Sequence, residues 1–222
     1  MSAIKISKLI RSRRRSIALV VTPDAELLVR APLHTPLSFI EQLVQKKSDW
    51  IIRRVAQVQS RPRPVERKFA DGETFLFLGQ PFKLRMYDGG RIALDEELLF
   101  PVSFLGREEE ELTFWYKQKA LQLITERVTY YGQLMGLHPQ SVRLSDAIRR
   151  WGACGPTDAL SFSWRLIMAP LAVVDYVAVH ELAHLAVRNH SARFWSKVKL
   201  YCPQYKDCRA WLRHNEHLIV SN

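Results

Sequence analysis

No apolar run in this sequence is long enough to cross a bilayer. The longest, Ile17–Val21, covers five residues, against the ~20 that a membrane helix needs. No apolar stretch follows the basic start, so a secretory signal is not expected. Three cysteines with no CxxC pair argue against a disulfide framework and for a reducing compartment. Nine glycines and eleven prolines, scattered along the chain, exclude collagen-like and low-complexity architectures. The 222 residues are 47% apolar and 25% charged, which excludes general disorder and leaves room for one large domain or two small ones. The expectation is a soluble, cytoplasmic protein with no membrane partner.

Charge is unevenly spread. Residues 1–70 hold 15 Lys and Arg against 5 Asp and Glu, whereas residues 71–140 hold 7 against 11. Arg11, Arg13, Arg14 and Arg15 head the basic third. Such a surface attracts nucleic acid or another polyanion through counterion release, or is simply solvated.

The apolar pattern places the elements. Lys5–Arg30 reads as β structure with a turn at Thr22-Pro23-Asp24-Ala25. A single helix is expected next, capped by Thr35 and running through Leu37, Ile40, Val44, Ile51 and Val55. Arg61-Pro62-Arg63-Pro64 is a stiff connector. Thr74–Leu78 and Phe82–Tyr87 read as strands, and the acids Glu108–Glu111 open a long helix whose buried side carries Leu112, Tyr116, Leu123, Val128, Tyr131 and Leu134. Val142–Leu144 and Leu160–Trp164 read as two strands of a hairpin, joined through Gly155–Asp158. Helices follow from Pro170 and over roughly Lys206–Leu218. Mixed elements without a βαβα rhythm predict an α+β fold. We divide it into a β-rich N-terminal region with one helix (1–105) and a C-terminal domain (106–222).

The chemistry concentrates in His180-Glu181-Leu182-Ala183-His184. Val173, Val174, Val177, Leu182 and Ala186 make this segment helical, and residues four apart share a helix face, so one ion can meet both imidazoles. Glu181 lies about 100° around the helix from His180, placed to reach a water without binding the metal itself. Two histidines and a third ligand leave zinc one open position. His190, six residues after His184, has the spacing of a metzincin third ligand. Val187 stands where those sites carry a bending glycine, and Asn189 is expected to make the turn in a left-handed conformation. No Met-turn can be identified. The rival third ligand is Glu216, on a later helix.

Arg150-Trp151-Gly152-Ala153-Cys154, Phe162–Ile167, Val179–His184, His190-Ser191 and Phe194-Trp195 together resemble the YgjP-like metallopeptidase family, a relative of the SprT-like zinc proteins. The likeness extends to Ile10–Arg15, Leu78-Gly79-Gln80 and Trp211-Leu212, nearly the whole chain. It implies a zincin-like C-terminal domain with one zinc ion held by His180, His184 and His190, and Glu181 as base. Ala153 and Ser163 depart from the Ser and Asn common in the family, which bears on substrate contacts and not on the metal triad.

Arg150 and Arg165, with Arg149, flank the expected hairpin as candidates for stabilising an oxyanion or a phosphate. Trp151, Trp164, Phe194 and Trp195 are core fillers or cleft walls. Tyr205 is a candidate transition-state donor, and Cys154 reads as an inert thiol. Three functions follow. The first is a zinc-dependent peptidase, with the Leu160–Trp164 strand pairing with an extended peptide. The second is a metal-dependent hydrolase of nucleotides or phosphate esters. The third is a nucleic-acid-associated module in which zinc holds the fold.

Overall fold

The computed structural model describes residues 4–220, apart from Pro23, residues 60–66 and Arg149. The connector Arg61–Pro64 and Arg149 therefore lie outside the described residues. The chain falls into two compact units, Met1–Arg63 and Pro64–Asn222.

The first unit is a three-stranded sheet with two helices. Strands β1 (Lys8–Ser12), β2 (Ala18–Val21) and β3 (Leu27–Pro32) lie in the order β1-β3-β2. β3 is parallel to β1 and antiparallel to β2. Alternation along β3 buries Leu27, Val29 and Ala31 against Ile40, Val44 and Ile51, as a strand with one covered face requires. The expected single helix is two, α1 (Leu37–Lys46) and α2 (Ser48–Gln59), broken at Lys47. Its cap is Pro36 and not Thr35: the first backbone bond of the helix, from Ile40 N–H, goes to the Pro36 carbonyl, while the Thr35 carbonyl accepts from Arg11 Nη1 at 2.6 Å.

The second unit is built on α3 (Glu108–Met135), whose four leading acids complement the positive end of its dipole. Gly136, left-handed at φ 63°, ends it, and the Leu137 N–H closes back on the Gly132 carbonyl, a Schellman-type stop. The buried stripe is Leu112, Trp115, Tyr116, Ala120, Ile124, Val128, Gly132 and Met135. Leu134, expected inside, is exposed. Apolar residues occur all round this helix, so spacing alone does not select the face.

Strands β4 (Thr74–Phe77), β5 (Gln80–Tyr87), β6 (Ala93–Leu94) and β7 (Leu98–Pro101) make a sheet ordered β4-β5-β7-β6. The two-residue turn Leu78-Gly79 has both φ angles positive, at 48° and 78°, the pattern of a type I′ hairpin. It is fastened to a 3-10 turn, Trp164–Met168, by backbone donation from Leu78 to Ile167 (2.7 Å) and from Gly79 to Met168 (3.0 Å). Tyr116 Oη donates to the Leu76 carbonyl at 2.8 Å, tying α3 to the same hairpin.

A second small sheet corrects the expected 142–164 hairpin. β8 (Ser141–Ser145) and β10 (Ala159–Ser163) run parallel, and β9 (Gly152–Cys154) joins antiparallel to the other side of β10. The Gly155–Asp158 turn thus links β9 to β10. Three residues carry too little pattern to announce β9 in sequence. Helices α4 (Leu171–Ala186), α5 (Ala192–Tyr201) and α6 (Tyr205–Val220) complete a mixed α+β unit. α4 is buried along most of its length, which is why its many valines do not prevent a helix: packing overrides a weak propensity. No helix among the described residues is long and apolar enough to cross a membrane.

Candidate metal centre

The centre is assembled at the C-terminal end of α4. His180 and His184 lie one turn apart on the helix, and their ring centroids are 4.9 Å apart. α4 stops at Val187, whose backbone is extended (φ −140°), and the chain folds back to bring His190 to 5.1 Å from His180 and 4.7 Å from His184. The expected left-handed Asn189 is not found: no residue from 187 to 190 has a positive φ. The Asn189 side chain accepts the Ser191 N–H at 3.3 Å instead, closing the reversal before Ser191 leads into α5.

One ligand atom from each of the three imidazoles lies within 4.8 Å of the others, and this is the one such group of His, Cys, Asp or Glu among the described residues. Glu216, the rival, is on α6 and outside it. The tautomer of His184 is legible. His184 Nδ1 meets the Val187 carbonyl at 3.1 Å; a carbonyl only accepts, so Nδ1 carries the proton and Nε2 is left with its lone pair. His180 and His190 face each other Nε2 to Nε2 at 3.1 Å. Two such lone pairs repel unless a proton or a cation sits between them, and nitrogens sharing a tetrahedral zinc stand roughly 3.3 Å apart. Burial, then the charges of His184, His190 and Arg209, pushes His180 down to about 3, and burial also lowers His184. Neutral imidazoles are the metal-binding form. The donor set therefore fits a divalent ion that takes nitrogen ligands.

Aromatic packing fixes the rings. The Phe194 centroid is 4.9, 4.4 and 4.8 Å from those of His180, His184 and His190, and Phe194 is fully buried. Trp195 lies 5.7 Å from both His180 and His190, and Tyr205 stacks on its far side at 5.3 Å. Tyr205 thus joins the cluster through Trp195. Tyr176, one turn before His180, makes a long 3.5 Å contact from Oη to His180 Nδ1; it had drawn no attention in the sequence, although an i, i+4 aromatic is readable there.

Glu181 is 5% exposed. Burial raises its carboxyl to about 7, with the nearby Arg150 charge pulling the other way. The wall against it is Gly152 of β9. The other side of the sheet's geometry matters too: Ser163 and Gly155 donate to Trp151 and Ala159 at 2.9 and 2.8 Å, so antiparallel alternation turns the N–H and C=O of Gly152 and Cys154 away from β10. β9, and not β10, is the open edge beside Glu181. β10 is flanked on both sides, which overturns the expectation that Leu160–Trp164 receives a peptide.

Trp164 and Arg165 are placed elsewhere. Trp164 is buried, donates from Nε1 to Asp146 at 3.0 Å and stacks on Tyr116. Arg165 lies over the Trp164 ring, 4.4 Å from its centroid. Trp151 packs on the main core. Cys154 accepts from Arg188 Nη1 at 3.0 Å, and Arg188 also binds the Gly155 carbonyl and Asp158, pinning the β9–β10 turn to the end of α4. The model of a family described as YgjP-like, metallopeptidase domain matches residues 15–215. No curated protein and no solved structure matches the chain.

Proposed function

We propose, since this chain belongs to the YgjP-like metallopeptidase family, that it is a zinc-dependent peptidase of zincin-like architecture, acting in the cytoplasm. Residues 106–222 carry its chemistry. The observation that supports this most strongly is the convergence of His180 and His190 Nε2 at 3.1 Å, beside a buried carboxyl one residue along α4.

In this reading His180, His184 and His190 hold one zinc ion. When bound, the ion acidifies water and polarises a carbonyl. Glu181 takes a proton from water on its carboxylate oxygen and later delivers it to the leaving nitrogen. A carboxyl can take a proton and give it back in this way when its surroundings tune it between the two states, and at Glu181 burial raises it while the Arg150 charge lowers it. Gly152 and Cys154 offer outward backbone groups to which an extended peptide adds as a strand, passing alongside Glu181. Arg150, whose charge is felt at Glu181, supplies positive potential for a developing oxyanion. Trp164, Arg165 and Tyr205 act from behind this layer by holding the sheet and Trp195 in place.

The test is turnover of a quenched peptide mixture by zinc-loaded protein. Wild type cleaves it, a chelator stops cleavage and added zinc restores it. Glu181→Gln keeps the zinc and loses about 10²–10⁴ in kcat. Full activity in Glu181→Gln would overturn the proposed base.

A further inference from the structure

α6 carries Lys206, Arg209 and Arg213 at i, i+3 and i+7, which one helix face presents together. With Trp195 and Tyr205 they line an open pocket of about 320 Å³, at the small end of the range for ligand pockets. Its position is fixed by contacts already described. The Arg209 guanidinium lies 5.2 Å from the centroid of Trp195, the ring that packs on His180 and His190. The pocket and the metal centre therefore share Trp195 as a common wall.

What distinguishes the three cations is that they line one pocket together. Residues 64–222 are close to charge balance, with 20 Lys and Arg against 18 Asp and Glu. Six basic side chains of this unit pair with carboxylates: Arg67 with Glu73, Arg85 with Glu97, Arg107 with Glu111, Lys117 with Asp146, Arg127 with Asp175 and Arg188 with Asp158. Among the described residues none of Lys206, Arg209 or Arg213 is in an ion pair. Three unneutralised cations against an aromatic floor, next to a reaction centre, form a receptor for an anion. Two of them are arginines, whose planar forks match a carboxylate bidentately.

We propose that this pocket is a substrate subsite that takes a carboxylate, so that the enzyme selects peptides bearing a negative charge close to the bond it cleaves. The assignment rests on the peptidase reading above and adds its specificity. The carboxylate has two possible sources, an acidic side chain or the free C-terminus of the peptide.

Binding distinguishes them without turnover. Three dye-labelled pentapeptides are titrated into zinc-loaded Glu181→Gln by fluorescence anisotropy: one with Glu and an amidated end, one with neutral side chains and a free carboxylate, and one neutral and amidated. One of the first two binds about fivefold or more tighter than the third, as two charge-assisted contacts at an exposed site allow, and the tighter one names the source. Adding Arg209→Gln and Arg213→Gln brings that ratio to near one, whereas Arg143→Gln, on β8, leaves it unchanged. Equal binding of all three peptides overturns the subsite, as does a ratio that survives loss of both arginines or falls equally with Arg143→Gln. Wild-type protein given the same peptides tests the reading beneath it separately: no cleavage alongside an intact charge preference removes the peptidase and leaves the subsite.

Discussion

Gly152 and Glu181 are in contact so close that no side chain fits between them: a Cβ added at Gly152 would stand 2.5 Å from Glu181 Oε1 and 2.6 Å from its Cγ. The edge strand and the carboxyl are therefore positioned by each other. Glycine is needed here for space and not for its backbone freedom, since Gly152 is not among the residues of positive φ.

Gly152→Ala tests that contact. The atoms a methyl group meets are Oε1, Cγ and Cδ of the Glu181 side chain and no backbone atom, so the whole side chain shifts and the fold survives. The expected result is a loss of at least about tenfold in kcat/KM, from a displaced base, with the melting temperature nearly unchanged. Melting-point and turnover measurements on the same preparation check both halves.

Phe194 is the common floor of the three imidazoles, and replacing it affects both packing and metal. Phe194→Ala costs about 3–5 kcal/mol in stability by opening a core cavity. Phe194→Leu retains the fold and weakens zinc about 10- to 100-fold, the range found when groups that orient ligands are removed. Competition against a chelating dye reads the second effect.

Gly79 has φ 78°, and a Cβ there would meet the rigid Pro170 ring at 2.7 Å. Pro170 is the cap of α4, so the hairpin turn leans on the start of the helix that carries His180 and His184. Gly79→Ala is expected to destabilise the protein by about 1–3 kcal/mol, from the left-handed backbone and the clash together. Urea unfolding monitored by tryptophan fluorescence measures it.

Arg127 of α3 and Asp175 of α4 form a two-pronged pair at 2.5 and 3.0 Å. Both side chains are partly exposed, so screening reduces the value of the pair below that of a buried one. Asp175→Asn is expected to cost about 1 kcal/mol. The loss shrinks in 1 M salt, where the wild-type pair is itself screened. Unfolding of both proteins at two salt concentrations gives the comparison.

The sequence was most legible where long-range packing matters least. Glu108–Glu111 marked the start of α3, Pro170 marked α4, and the His180–His184 spacing placed both imidazoles on one helix face. The Leu78-Gly79 turn is equally local in its backbone geometry, yet the expected strand Thr74–Leu78 runs into it. What stayed hidden depends on pairing between distant segments. β9 is three residues long and is a strand only because β10 lies beside it. Whether β8 and β10 run parallel is decided by the intervening chain, which no local period reports. The use of Pro36 as a cap goes with the long-range bond from Arg11 to the Thr35 carbonyl, and no Gly or Pro marks the α1–α2 break at Lys47. α5, which carries Phe194 and Trp195, was not foreseen as a helix, although both rings were singled out as cleft walls.

Three imidazoles sharing one metal ion are read out by the amount of zinc bound per chain. Elemental analysis of purified protein after dialysis is expected to give about one zinc in wild type, as a three-nitrogen site retains. His190→Ala is expected to lose most of it while keeping its helical signal. Full zinc retained in His190→Ala, or none taken up by wild type supplied with zinc, would contradict the account and leave His180, Glu181 and His184 as residues of a structural helix.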